Sequence, residues 1–149
     1  MDLFTNMLIK NNSTDENKIK IGEKYQFSKT ITESDINLFA GLVADFHPMH
    51  VNANYADQSK SGKRMVQSAL VVGLVNGVLR NFLPGKNFSI LRQQLEFLKP
   101  VLLGDTITVK VEIFTWFPEK RLITMKMDCF NQINQELMTG ETVMIHESA

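Results

Sequence analysis

Residues 67–83 read QSALVVGLVNGVLRNFL, and the fold follows from how apolar side chains are spread around that segment. A surface helix carries one apolar stripe, whereas this run is apolar on nearly every side, the pattern of a helix enclosed by protein all round. Such a helix needs a wrapper. LPGK at 83–86 stops it with a proline and a glycine, and beyond that point the hydrophobic period changes to two. Ile107, Val109, Val111 and Ile113 alternate with Thr106, Thr108, Lys110 and Glu112; Ile123, Met125, Met127 and Cys129 alternate with Leu122, Thr124, Lys126 and Asp128. Each run predicts a strand with one buried face. Residues 88–99 and 137–146 add two more, the first with a phase slip around Arg92 to Gln94 that predicts a bulge. Upstream, KYQFSKTI at 24–31 is rich in β-branched and aromatic residues and predicts the first strand. The expectation is an α+β domain, a curved antiparallel sheet wrapped around a long central apolar helix.

With 149 residues and 44% hydrophobic content, the chain suits one core rather than two. Sixteen basic and sixteen acidic residues cancel, so no net field gathers nucleic acid or an anionic membrane surface. A single cysteine, Cys129, excludes an intrachain disulfide and a cysteine zinc site, which leaves a cytoplasmic location as the simplest expectation. MDLFTNMLIK at the start has an acid at position 2 and no basic region before its short apolar run, unlike a secretory signal. No stretch approaches the ~20 apolar residues of a membrane span. NNSTDENKIK at 11–20 is polar and turn-rich, so residues 1–20 are expected to be a flexible leader to a single domain over 21–149.

Thr32 followed by Asp35 forms a capping-box pattern, since hydroxyl and carboxylate can each satisfy a free amide of a first helical turn. Ile36, Phe39, Ala40 and Val43 then share one helical face. Pro48 pushes His47 out of the helical region and Gly41 weakens the last turns, so the helix should end near Asp45. ADFHPMHVN, residues 44–52, is therefore read as a loop leaving a helix. It holds two of the chain's three histidines. Asp45 and His50 are a general acid–base pair if they face one small volume, because each can hold the protonation state the other lacks near neutral pH. Spacing alone favours the plainer reading, an Asp that ends a helix with a His packed over it. Pro48 rigidifies the loop, and Phe46 and Met49 can exclude bulk water, which brings the chemical reading level with the other.

A metal site of Asp45, His47 and His50 is disfavoured, because the proline between the histidines hinders convergence and His146 lies far along the chain. No metal is expected. A hydrolytic nucleophile is weaker still: Cys129 sits in phase with its strand's apolar face, and Ser68 lacks the flanking glycines of a nucleophile elbow. The start of the apolar helix offers free amides around Gln67, Ser68, Ala69 and Leu70. Such donors can hold a developing oxyanion, each worth about 2.7–4 kcal/mol, although every helix has such an end and a serine there can simply cap it.

Three segments together resemble the MaoC-like dehydratases, a family with the hot dog fold that includes (R)-specific enoyl-CoA hydratases. They are LFAGLVADFHPMHVN, the long apolar helix closed by LPGK, and FLKPVLLGDTITVKVEI. The resemblance spans roughly residues 21–145. It implies a hydro-lyase of fatty acid metabolism with no cofactor, catalysing reversible syn hydration of a trans-2-enoyl thioester of coenzyme A (CoA) or acyl carrier protein (ACP) to the (R)-3-hydroxyacyl thioester. Asp45 and His50 match the family's catalytic Asp and His, which activate one water; the central helix supplies the oxyanion donor, and two subunits pair their sheets into a homodimer or larger homo-oligomer. Departures from the family pattern fall at substrate-facing positions. His47 replaces an Asn, Asn52 an Asp, and Gln67 and Ser68 a His-Gly pair, while Asn76 aligns with a serine that supports the catalytic Asp. A side chain at Ser68 stands where a thioester carbonyl would approach the backbone, so reduced activity, a catalytically silent acyl-thioester binding domain and an acyl thioesterase remain as alternatives. Lys60, Lys63, Arg64, Lys86 and Arg92 are the basic residues available to a nucleotide phosphate or an acidic carrier, with solvated surface the simpler reading for most.

Overall fold

The computed structural model describes residues 15–147. Most of the expected leader lies outside that range, but its last part packs: a 3₁₀ turn spans Glu16–Lys18 and Ile19 rests against the core. The succession is then β1 (Lys24–Thr30), α1 (Glu33–Val43), α2 (Pro48–Val51), α3 (Ala53–Asp57), α4 (Ser68–Asn81), β2 (Phe88–Phe97), β3 (Thr106–Phe117), β4 (Leu122–Phe130) and β5 (Glu136–His146). The five strands form one sheet in the order β1-β3-β4-β5-β2, every pair antiparallel. One strand, then the helices, then a run of four strands gives the α+β arrangement anticipated.

The period-two segments explain the core. Ile107, Val109, Val111 and Ile113 of β3 and Ile123, Met125, Met127 and Cys129 of β4 all point to one side and are no more than 1% exposed. Burying a side chain of this size is worth roughly 1.5–3 kcal/mol. Val71, Val75, Val78 and Leu79 of α4 complete the same cluster. Phase slips occur at Ile90/Arg92 in β2 and Ile113/Thr115 in β3, the former just before the bulge read from the sequence. At Gly140, in β5, a Cβ would collide with the Gln94 carbonyl oxygen, so β2 lies against β5 only because that position carries no side chain.

One expectation is corrected. Within the chain α4 is not enclosed all round: Ser68, Ala69 and Gly73 are exposed. The open side carries the smallest residues of the helix, so leaving it bare forfeits little apolar burial.

Candidate functional site

Helix α1 begins as its capping box requires. Asp35 N–H donates to Thr32 Oγ1 and Thr32 N–H to Asp35 Oδ2, at 3.2 and 2.9 Å. Its inward side is narrower than read from sequence: Ile36 and Ala40 are buried, Phe39 is half-buried and Val43 is exposed. Ala44 ends the helix in the left-handed region, φ 59°, which turns the chain sharply and presents Asp45. The following residues were expected to form a loop; instead they make two short helices. Pro48 falls in the first turn of α2, where its missing amide costs nothing, and His47 caps that turn by accepting the Met49 N–H on Nδ1 at 3.1 Å. Asn52 caps α3 in the same way, through Tyr55 N–H at 3.0 Å.

These turns carry His50 back over Asp45. His50 Nδ1 lies 2.7 Å from the Met65 carbonyl oxygen. A carbonyl only accepts, so Nδ1 bears the hydrogen and the neutral ring keeps its lone pair on Nε2. That Nε2 faces Asp45 Oδ2 at 3.6 Å, too far for a direct hydrogen bond and wide enough for a small third group to touch both. The His50 side chain is 15% exposed and that of Asp45 45%, so the imidazole is set in protein and the carboxylate faces an opening. Met65 is itself fixed. Its amide donates to the Met49 carbonyl at 2.9 Å, and the flanking pairs Val66 N–H to Val101 O and Leu103 N–H to Arg64 O tie the segment to the chain ahead of β3.

The start of α4 lies next along the chain from Met65. Leu70 and Val71 amides turn to the Gln67 carbonyl, while those of Ser68 and Ala69 precede the helical ladder. Met65, Val66 and Ser68 form one wall of a cleft of about 290 Å³ whose other walls include Phe97 to Val101, Leu137 and Met138. Gln67 does not reach into it. That residue is fully buried, and its Nε2 donates to the Ile36 carbonyl of α1 at 3.0 Å. Its Oε1 is buried without a hydrogen-bond partner among the described residues. Asn76 also sits apart from Asp45: its Oδ1 accepts from Gln93 Nε2 at 2.6 Å, and the same nitrogen donates to Thr142 Oγ1 at 3.1 Å. His47 is exposed at the rim, its ring centre 5.9 Å from that of His50.

The structure thus brings Asp45 and His50 together and ties His50 to Met65, three residues before the first turn of α4; the pair itself does not line the cleft, and Asn76 and the Gln67 side chain engage other partners. Two components escaped sequence reasoning. A backbone carbonyl such as that of Met65 has no sequence signature, and Arg64, read as a surface cation, is only 6% exposed. Cys129 is fully buried; burial, with the neighbouring Asp128 charge adding to it, pushes its thiol up to about 12, which removes it as a nucleophile. Among the described residues no three His, Cys, Asp or Glu side chains are placed to hold a metal ion, and no helix is long and apolar enough to cross a membrane.

Comparison with known proteins points to one group. The family described as "MaoC like domain" matches residues 16–131. An (R)-specific enoyl-CoA hydratase of Rhodospirillum rubrum is 39% identical over 128 residues, covering 85% of this chain and 88% of that protein. Among solved structures, an unliganded R-hydratase from Pseudomonas aeruginosa superposes with a TM-score of 0.85 at 29% identity over 90% of this chain and 86% of that one. The (R)-hydratase of Aeromonas caviae gives 0.83 at 31% identity over 87% and 98%. The sheet and helix described above are therefore those of the hot dog hydratases.

Proposed function

The chain belongs to the MaoC-like domain family, and from that premise we propose that it is an (R)-specific enoyl-thioester hydratase, or in reverse a 3-hydroxyacyl-thioester dehydratase, working on CoA or ACP thioesters. The observation that carries the reading is the locked tautomer of His50, whose free Nε2 faces Asp45 Oδ2 across 3.6 Å. Two acceptors at that separation suit one water donating a hydrogen to each. Its oxygen, with lone pairs turned outward, bonds to C3 of the enoyl group while a proton passes by way of the pair to C2; neither side chain is consumed. Charge accumulates meanwhile on the thioester oxygen, for which the Ser68 and Ala69 amides at the positive end of α4 are the available donors. The R. rubrum and A. caviae relatives bear the same activity in their names.

Incubation with crotonyl-CoA tests this directly. Loss of the conjugated absorbance without free thiol is the expected result, whereas thiol release would mean a thioesterase, and saturable binding with neither would mean a silent binding domain. The silent reading draws on Gln67, which stands in place of the family's histidine and whose amide is committed to the Ile36 carbonyl. Asp45→Asn and His50→Ala should each lower turnover about 10²- to 10⁴-fold, with little change in melting temperature because neither fills the core.

The free edge of β2 suits a second copy of the chain. An antiparallel self-pairing centred on Gln94 would set Arg92 opposite Glu96 of the other copy, and among the described residues β2 pairs only with β5. A homodimer is the expected species in sedimentation; a monomer at micromolar concentration would remove this part of the proposal.

A further inference from the structure

Arg64 is a charged side chain at 6% exposure, and each of its three guanidinium nitrogens donates a hydrogen bond. Nε donates to the His50 carbonyl at 2.5 Å, Nη1 to Glu33 Oε1 at 2.8 Å and Nη2 to Asn37 Oδ1 at 2.6 Å. Stability does not account for it. Glu33 is 68% exposed, so that pair is worth about 0–1 kcal/mol, and apolar residues of similar volume commonly serve as well as a buried ion pair. What the arrangement does is geometric. Glu33 and Asn37 lie one turn apart on α1, and Asp45 follows directly from the end of that helix. The third contact is the backbone of His50. One planar fork therefore joins the helix that leads into Asp45 to the peptide that carries the imidazole, while Met65 holds the ring through Nδ1.

We propose that Arg64 is a positioning residue that sets the separation between Asp45 and His50. The claim rests on the reading of those two residues as the working pair. It also explains why an arginine is used, since a lysine ammonium cannot address three acceptors lying in different directions in one plane.

The experiment compares wild type with Arg64→Ala, Arg64→Lys and Asn37→Ala, by crotonyl-CoA hydration and by NMR of the His50 Nδ1–H. That proton should resist solvent exchange in wild type, where Met65 shields it. Arg64→Ala should lower kcat about 10- to 100-fold, in line with a misplacement of roughly 1 Å, with KM nearly unchanged. Guanidinium ion far below denaturing concentration should restore part of that kcat and do nothing for wild type. The His50 proton should exchange faster in Arg64→Ala while the amide spectrum of β3 and β4 stays in place. If Arg64→Ala fails to fold, Arg64→Lys and Asn37→Ala should show the same direction with smaller losses. Unaltered kcat together with an unaltered His50 proton overturns the proposal, as does lower stability with no rescue and no change at His50. Should wild type hydrate no enoyl thioester, the function proposed above falls, and the exchange measurement still decides the role of Arg64.

Discussion

In the β3–β4 hairpin the inward side chains from Ile107 to Ile113 and from Ile123 to Cys129 are apolar and no more than 1% exposed, whereas the segment from Asp45 to Gln67 holds its place by directed polar contacts. His50 to Met65, Met65 to Met49, Arg64 to His50 and Gln67 to Ile36 are all hydrogen bonds. The difference teaches what each kind of cohesion is good for. Apolar packing has no preferred direction, sums over many atoms and leaves nothing reactive at the surface. Hydrogen bonds fix individual atoms at chosen distances, so they can present a lone pair such as that on His50 Nε2 to a partner at 3.6 Å. They also contribute less to stability, about 0.5–1.5 kcal/mol each.

Substitutions on the two sides should separate accordingly. Met125→Ala in β4, where the residue is fully buried, should cost about 2–5 kcal/mol in denaturant unfolding and leave kcat per folded molecule unchanged. A fall in kcat of the same order as the stability loss would show that the core and the site are not separable.

Asp35→Asn gives the smaller effect, about 0.3–1 kcal/mol at neutral pH for a charge in a first helical turn. Burial raises the Asp35 carboxyl, but the Thr32 amide, Lys29 and the Thr32 hydroxyl together outweigh it and hold the group below the usual carboxylate range. The folded value lies under the unfolded one, so its stabilisation is complete above the ordinary carboxylate range and is lost as the pH falls through the folded value. Wild type and variant should therefore converge on acidification, measured as urea midpoints at neutral and acid pH. Divergence in acid would contradict the assigned direction.

The parts of the molecule legible in sequence are those whose cause is local. Ile107 to Ile113 and Ile123 to Cys129 announce strands because four apolar residues at alternate positions are enough to define a buried face. Thr32 and Asp35 announce a helix start because both partners of the box are three residues apart. The two short helices after Asp45 were not legible, since Pro48 suits a loop and a first helical turn equally. Arg64 was misread as surface because its side-chain partners Glu33 and Asn37 stand 31 and 27 residues away, and nothing in its own neighbourhood encodes them.

The sequence by itself determined the α+β class, the inward faces of the central strands, the cap of α1 and the nomination of Asp45 and His50, since periodicity and short-range chemistry need no knowledge of distant residues. Only the tertiary structure decided which histidine nitrogen is free, that the Gln67 side chain turns to Ile36 and away from the cleft, that Asn76 engages Gln93, and that one face of α4 stays open. Each of these depends on a partner supplied by another element, often by its backbone. Such partners are chosen by packing in three dimensions, and the order of residues along the chain does not name them.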